Sequence, residues 1–218
     1  MEKQEETGRV LLIHKPFQWT SFDVVNKLRY RLKIKKIGHA GTLDPLATGL
    51  LIICTGKMTK RIEEFMGLEK EYTGKFILGK STPSHDLETE ISEEKDISAI
   101  TDQEIREAAQ ALTGNLQQLP PMHSAIRVGG KRAYEFARKG QEIELKHREV
   151  EVKTFEITGI RLPEASFRIV CSKGTYIRSI ARDFGNSLGV GAYLTDLCRT
   201  RIGSFKLENA LTIDEVVP

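Results

Sequence analysis

The chain has few of the residues that mark a secreted or fibrous protein. Its 218 residues include only 3 cysteines and 7 prolines, and aromatic residues make up 7%. Cys54, Cys171 and Cys198 are odd in number, lie far apart and form no C-x-x-C pair. They therefore indicate neither a disulfide framework nor a zinc site, and we expect three reduced thiols.

Long apolar runs are also missing. The longest purely apolar run, residues 50–54, is far shorter than the roughly 20 residues that a bilayer requires. The chain opens with the polar, acidic string MEKQEE, and no apolar signal-peptide region follows it. We expect no membrane span and a cytoplasmic location.

The composition is that of a folded protein. Hydrophobic residues are 39% and charged residues 29% of the chain, which excludes a disordered or low-complexity protein. The length suits one domain, or a core with a small subdomain. No internal repeat is evident.

Charge is unevenly distributed although the net charge is only +3. Residues 27–36 carry six cations and no anion, and residues 127–148 are mostly basic. A third basic group consists of Lys173, Arg178, Arg182, Arg199 and Arg201. Residues 88–107 are acidic and should face away from a polyanion. The basic segments predict a surface that follows a phosphate backbone, and the alternative is that they are solvated helix faces.

Hydrophobic periodicity predicts a mixed α+β protein. We expect strands at residues 9–14, 50–54, 72–78, 150–160, 166–172 and 194–205. We expect helices after a cap at Thr20 or Ser21, and at residues 59–66, 102–112 and 175–188, with a small strand–turn–helix at 125–138. Helical spacing predicts that Phe22 in the first helix and Met66 in the second face inward. Asp102 is the predicted N-cap of its helix.

One motif match is misleading. Residues 74–81, GKFILGKS, satisfy the P-loop pattern letter for letter. A phosphate cradle requires a helix directly after the loop, but here Thr82-Pro83-Ser84 follows a strand-like run. We therefore predict a strand that runs into a loop, and no nucleotide cofactor.

Two segments carry chemistry. The glycine-punctuated loop 38–51 holds one imidazole and one carboxylate, and Pro45 restricts the backbone of the preceding Asp44. Arg178 lies in the first turn of a predicted helix, where the dipole favours anions, so it requires a partner. Asp44 and Arg178 could form a charge-assisted pair that aims the carboxylate. The alternatives are an Asp-Pro turn and an ordinary structural ion pair.

The loop string GHAGTLDPLATGLL closely resembles the catalytic motif of the TruB family of tRNA pseudouridine synthases. Segments 11–16, 70–72, 120–134 and 172–178 match the family in the same order, so the resemblance covers roughly residues 9–205. It implies the pseudouridine synthase fold, a mixed and mainly antiparallel sheet flanked by helices. It also implies a small RNA-gripping insertion at about 119–148.

The reaction that the resemblance implies is isomerisation of uridine-55 in the T loop of tRNA to pseudouridine, with no cofactor and no metal. Asp44 would be the nucleophile, since a carboxylate is ordinarily ionised at neutral pH. Attack at the ribose C1′ and attack at the uracil C6 both remain open. The target base would be flipped out of its stack. The alternative is a non-catalytic tRNA-binding chaperone, which would not need the intact Asp44, Tyr72 and Arg178.

The resemblance also implies roles for the surrounding residues. Tyr72 would stack on the base, although it could be only a half-buried strand aromatic. Arg178 would orient Asp44, and Leu197 would pack on the uracil. His39 would help to displace the nucleotide or stack near it, with a simple loop hydrogen bond as the alternative. Lys15 would give structural support or contact a phosphate, and Lys173 and Tyr176 would line the pocket. The RNA-gripping cations are Lys131 and Arg132, with Arg127 and Arg138 beside them.

The expected organisation is a single catalytic domain at residues 9–208. A flexible N-terminus of residues 1–8 precedes it, and a short helix or tail of residues 209–218 follows. Many bacterial relatives continue into a PUA domain, which we expect this chain to lack. We expect a monomer that binds the T stem-loop of tRNA with the catalytic core alone.

Overall fold

The computed structural model describes residues 7–124, 126–137, 141 and 143–217. They divide into two compact units. The first runs up to Thr73 and resumes at Asp196, and the second is Gly74–Thr195.

The elements follow one another in a mixed order. The strands are β1 Val10–Lys15, β2 Ile37–His39, β3 Thr48–Thr55, β4 Lys70–Leu78, β5 Lys80–Ser81, β6 Glu93–Glu94, β7 Gly114–Gln118, β8 Arg127–Val128, β9 Lys131–Arg132, β10 Arg148–Arg161, β11 Glu164–Cys171, β12 Ala192–Ile202 and β13 Phe205–Lys206. The α-helices are α1 Ser21–Leu32, α2 Ile62–Gly67, α3 Asp102–Ala111, α4 Ala133–Ala137 and α5 Ile177–Ser187. Short 3₁₀ segments occur at Gly56–Arg61, Leu207–Asn209 and Ile213–Glu215.

In the first unit the strands are ordered β1-β3-β12-β4, with β2 beside β3 and β13 beside β12. β1 and β2 run antiparallel to β3, whereas β12 runs parallel to it and aligns Arg199 with Gly49. β3 is buried along nearly its whole length, as expected for a continuous apolar run inside a sheet.

Helix α1 covers this sheet. Thr20 is its N-cap and forms a capping box with Asp23, which satisfies backbone donors at the start of the helix. Its buried residues Val24, Val25, Leu28 and Leu32 belong to a core cluster with β1 and β3. Phe22, expected on this inner face, is instead 58% exposed.

In the second unit the strand order is β12-β4-β11-β10-β7. β10 pairs antiparallel with both β11 and β7. Four phenylalanines, Phe76, Phe155, Phe167 and Phe184, pack together in its core, and the rings of Phe76 and Phe167 stack at 4.1 Å between centroids. Because Phe184 lies on α5, this cluster fixes α5 to the sheet of its unit.

The predicted fold class is confirmed, since the sheet is mixed and mainly antiparallel and carries helices. The P-loop match is indeed a strand end, because Gly79 separates β4 from the short strand β5. Two further details were wrong. The N-cap of α3 is Thr101 rather than Asp102, and Met66, predicted to face inward, is 44% exposed.

Within the described part of the chain, every helix is too short or too polar to cross a bilayer. A short 3₁₀ turn, Ile213–Glu215, lies where a C-terminal helix or tail was expected. The predicted domain boundaries stay predictions.

Candidate active site

Asp44 lies in the loop between β2 and β3. Ala40, Leu43 and Ala47 are buried and anchor this loop, whereas Asp44 itself is partly exposed. The backbone amide of Ala47 donates to the carbonyl of Asp44 at 3.1 Å, which closes a tight turn. Apolar anchors on both sides therefore hold a loop that leaves Asp44 partly exposed.

Lys15 supports the loop from β1. Its side chain is fully buried, and its ammonium donates to the carbonyls of Pro16 at 2.9 Å, Trp19 at 2.6 Å and Pro45 at 3.3 Å. Burial lowers the pKa of Lys15 to about 8, while the charge of Asp44 opposes that shift. The predicted support role of Lys15 thus has a physical basis in the contact with the residue after Asp44.

His39 ends β2, just before the loop. Burial lowers the pKa of its imidazole, and the nearby charge of Arg199 lowers it further. The side chain is therefore neutral at neutral pH. Its Nδ1 is buried and has no hydrogen-bond partner among the described residues. The predicted contact of His39 with the nucleotide stays a prediction.

Tyr72 and Leu197 are both buried strand residues of the first unit. Tyr72 lies on the buried side of β4, where burial alternates along the strand. Leu197 lies on β12, two residues before the buried Arg199, so the two side chains share one face of the strand. The Thr48 hydroxyl at the loop exit donates to the carbonyl of Leu197 at 3.5 Å. The first unit thus contains Lys15, His39, Asp44, Tyr72 and Leu197.

Arg178 lies in the first turn of α5, as predicted, in the second unit. It is buried, and its Nε lies 3.4 Å from the Asp86 carboxylate. Its guanidinium also donates to the carbonyls of His123 at 2.8 Å and Ser84 at 3.5 Å. The sequence analysis missed Asp86, and its one signal was a carboxylate two residues before the acidic stretch 88–107. The pairing of Arg178 with Asp44 stays a prediction.

Lys173 and Tyr176 flank the start of α5. Lys173 is exposed in the turn after β11, which Gly174 closes with a left-handed backbone. Tyr176 is the N-cap residue of α5, and the amide side chain of Gln118 bonds both its backbone N–H and its carbonyl. Lys173 is therefore open to solvent, and Tyr176 is held by its backbone.

The loop that carries Asp86 also carries a histidine. His85 has a left-handed backbone, with φ of 60°. Burial is the main cause that lowers its pKa to about 4, and the charges of Arg182, Arg178 and His123 add to the effect. The imidazole is neutral at neutral pH, which avoids a third cation beside two arginines.

In the insertion predicted to grip RNA, the hairpin of β8 and β9 is described by its backbone. β8 and β9 form a hairpin that aligns Arg127 with Arg132 and Val128 with Lys131. The side chains of Lys131 and Arg132, and the whole of Arg138, lie outside the described residues. Among the residues that the structure does describe, no group of His, Cys, Asp or Glu could hold a metal ion.

Comparison with known proteins shows the family of this chain. Residues 29–177 match the model of the TruB family pseudouridylate synthase N-terminal domain. The tRNA pseudouridine synthase B of Flavobacterium johnsoniae is 54% identical over 213 residues, which cover 94% of this chain and 93% of that protein. The enzyme of the same name from Phocaeicola vulgatus is 53% identical over 95% of this chain.

Solved structures show the same fold. An archaeal box H/ACA sRNP Nop10–Cbf5 complex contains a chain with a TM-score of 0.72 and 26% identity, and a Cbf5–Nop10–Gar1 complex contains one with 0.75 and 28%. This chain spans 54% of the length of each of them. A pseudouridine synthase fold and a motif-bearing aspartate loop define a uridine isomerase, and the chain belongs to the TruB family of pseudouridylate synthases.

Proposed function

We propose that the protein converts uridine-55 in the T loop of tRNA to pseudouridine. The observation that carries this proposal is Asp44, a partly exposed carboxylate in a firmly anchored loop whose sequence matches the family motif. Relatives that are 54% and 53% identical along nearly their full length are named tRNA pseudouridine synthase B.

The reaction rearranges one nucleotide and needs no external reactant. Asp44 attacks either the ribose C1′ or the uracil C6, and the bond between C1′ and N1 breaks. The uracil rotates, a bond forms between C1′ and C5, and Asp44 is released. The proton on C5 then leaves and N1 gains one, so atoms and electrons balance. Asp44 thus acts by nucleophilic catalysis.

The other residues prepare the nucleotide. Flipping the base costs a few kcal/mol, which stacking and pocket contacts offset. In our proposal Tyr72 stacks on the flipped uracil, Leu197 packs on it, and the neutral His39 contacts the displaced nucleotide. Arg178 orients the Asp44 carboxylate, while Lys173 and Tyr176 line the pocket.

The decisive experiment is release of tritium from tRNA labelled at uridine C5. Asp44→Asn keeps the shape and removes the charge, so we expect release to fall by more than about 10⁴-fold while tRNA still binds. Asp102→Asn, at an exposed helix start, is the control and should match wild type. Release by Asp44→Asn at the wild-type rate would refute the nucleophile.

The tritium-release assay also tests which uridine is the target, and whether the protein is instead a tRNA-binding chaperone. A tRNA with cytidine at position 55 should release no tritium from its other uridines. Release that persists would move the target elsewhere. If the wild-type protein binds tRNA and releases nothing, the chaperone function replaces the enzyme.

The RNA-gripping cations are tested by salt dependence. Lys131→Ala with Arg132→Ala should weaken tRNA binding and reduce the slope of log K against log salt by about two, because each phosphate contact contributes about one. Lys95→Ala, in the acidic stretch, should leave the slope unchanged. An unchanged slope in the double variant would remove this insertion from the interface.

We further propose that the protein acts as a monomer in the cytoplasm.

A further inference from the structure

The backbone around Asp44 is held at every residue. The carbonyls of all five residues from 41 to 45 accept a hydrogen bond. The donors are Arg199 Nη2 to Gly41 and Arg199 Nη1 to Thr42, both at 3.3 Å, Ser21 Oγ to Leu43 at 3.3 Å, the Ala47 amide to Asp44 at 3.1 Å, and Lys15 Nζ to Pro45 at 3.3 Å together with the Gln18 amide at 2.9 Å. A loop held in this way has little freedom to redirect its carboxylate.

Arg199 contributes more to this network than any other single side chain. It is 1% exposed, and besides its two bonds to the loop entrance its Nε donates to the carbonyl of Leu50 at 2.8 Å, in β3. One planar guanidinium therefore joins the residues before Asp44 to the strand after it. A lysine donates from one nitrogen only, whereas the guanidinium uses three nitrogens, with Nε toward β3 and the two Nη atoms toward the loop entrance.

The backbone of Arg199 is pressed against the loop exit as well. It aligns with Gly49 across the parallel strands, and a Cβ at Gly49 would lie 2.4 Å from the Arg199 carbonyl oxygen. Gly49 has φ of 107°, so other residues would also be strained there. The close approach of the two strands fixes the position of the Arg199 backbone. The hydrogen bonds to three carbonyls fix the position of its guanidinium.

Burying this cation is costly, because carbonyls are dipoles and do not neutralise its charge. An apolar side chain could fill the same space without this desolvation cost. The buried arginine therefore indicates a role other than stability. We propose that Arg199 is a positioning residue that holds the 41–45 backbone in the one conformation that aims Asp44 at the uridine. The proposal rests on the function proposed above.

The test separates the chemical step from binding. Single-turnover pseudouridine formation at saturating tRNA gives the rate of the step, and the Kd for tRNA is measured on the same variants. We expect Arg199→Met to lower the rate by about 100-fold, the cost of a displacement of about 1 Å, with Kd within about twofold of wild type. Arg199→Lys should recover only a small part of the rate.

Two further variants keep the test decisive. Ser21→Ala removes the partner of both backbone groups of Leu43, and it should lower the rate by about tenfold at unchanged Kd. Arg168→Met, which loses an exposed ion pair with Glu156, is the control and should match wild type. If Arg199→Met does not fold, Arg199→Lys and Ser21→Ala decide by the same criterion.

The outcomes distinguish this inference from the proposed function. An inactive wild-type protein would refute the proposed function alone. With an active wild type, a rate within threefold of wild type in the Arg199 and Ser21 variants would overturn the positioning role. So would a loss of rate that is matched by an equal loss of tRNA affinity, since that would indicate general damage to the site.

Discussion

The two units bury their cations in different ways. In the first unit Lys15 and Arg199 each donate to three backbone carbonyls. In the second unit Arg178 also bonds carbonyls, but it lies against a carboxylate, that of Asp86. The first arrangement uses charge to organise a loop, and the second uses a charged pair to join a helix start to a loop.

The difference predicts different sensitivities. A carbonyl leaves the charge of its cation unneutralised. Burial is the main cause that lowers the pKa of Lys15 to about 8, and the charge of Arg199 adds to this effect. A carboxylate partner compensates the charge, so removing it exposes a large desolvation cost. The two units can therefore be told apart by substitution and by pH.

The largest effect is expected from Asp86→Asn. It leaves the buried Arg178 without that compensating charge, and breaking a buried pair in this way costs about 3–5 kcal/mol. Urea unfolding should show the loss, whereas Asp96→Asn, a change at an exposed carboxylate, should cost less than about 1 kcal/mol. An equal loss in the two variants would contradict the inference that the Asp86 carboxylate compensates the charge of Arg178.

Acid should selectively weaken the second unit. The pKa of His85 falls from 6.5 to about 4 on folding, so between these pH values the unfolded chain binds more protons than the folded one. Stability is full above pH 6.5 and falls as pH drops through 4, by up to about 3 kcal/mol. The measurement is urea unfolding at pH 7, 5.5 and 4.5.

His85→Gln is the matched variant for this acid effect. It removes the titrating group, so the loss of stability between pH 6.5 and 4 should shrink by the same amount. A pH profile that is identical in wild type and variant would assign the acid sensitivity to other groups.

Alkali should act on the first unit, with an effect no larger than that of acid. Because folding lowers the pKa of Lys15 from 10.5 to about 8, the unfolded chain binds more protons within that window. Stability should therefore rise from pH 8 to 10.5, by up to about 3 kcal/mol. In Lys15→Met this rise should be absent, and a rise that persists would contradict the assignment to Lys15.

The smallest effect should be equal in the two units. Thr20 and Thr101 each cap a helix through a capping box, one helix in each unit. Thr20→Ala and Thr101→Ala should each cost about 1 kcal/mol in urea unfolding. A cost below about 0.3 kcal/mol for either would show that its cap contributes little beyond packing.

Local patterns in the sequence were sufficient for most elements. The apolar run 50–54 became β3, and the cap before α1 and the first-turn position of Arg178 were both correct. Errors arose where tertiary neighbours decide whether a side chain is buried. The helical spacing of Met66 predicted an inward-facing side chain, but the fold leaves it exposed. Local periodicity describes which face a residue shares, but not what packs on that face.

The contacts that build the site were harder to find. Arg199 donates to Gly41 across 158 residues, and Arg178 contacts Ser84 across 94. Arg199 and Asp86 therefore went unassigned, although both were visible as charges near recognised segments. A single sequence contains no record of which distant residues meet, so such partners emerge only from the folded chain.

The sequence by itself determined the α+β class, the family and the position of Asp44, because these depend on local spacing and on a dense motif. Only the tertiary structure decided how Asp44 is held, since the donors to its loop come from β1, α1 and β12. Folding brings together donors that are far apart in the chain because each buried carbonyl must find a partner.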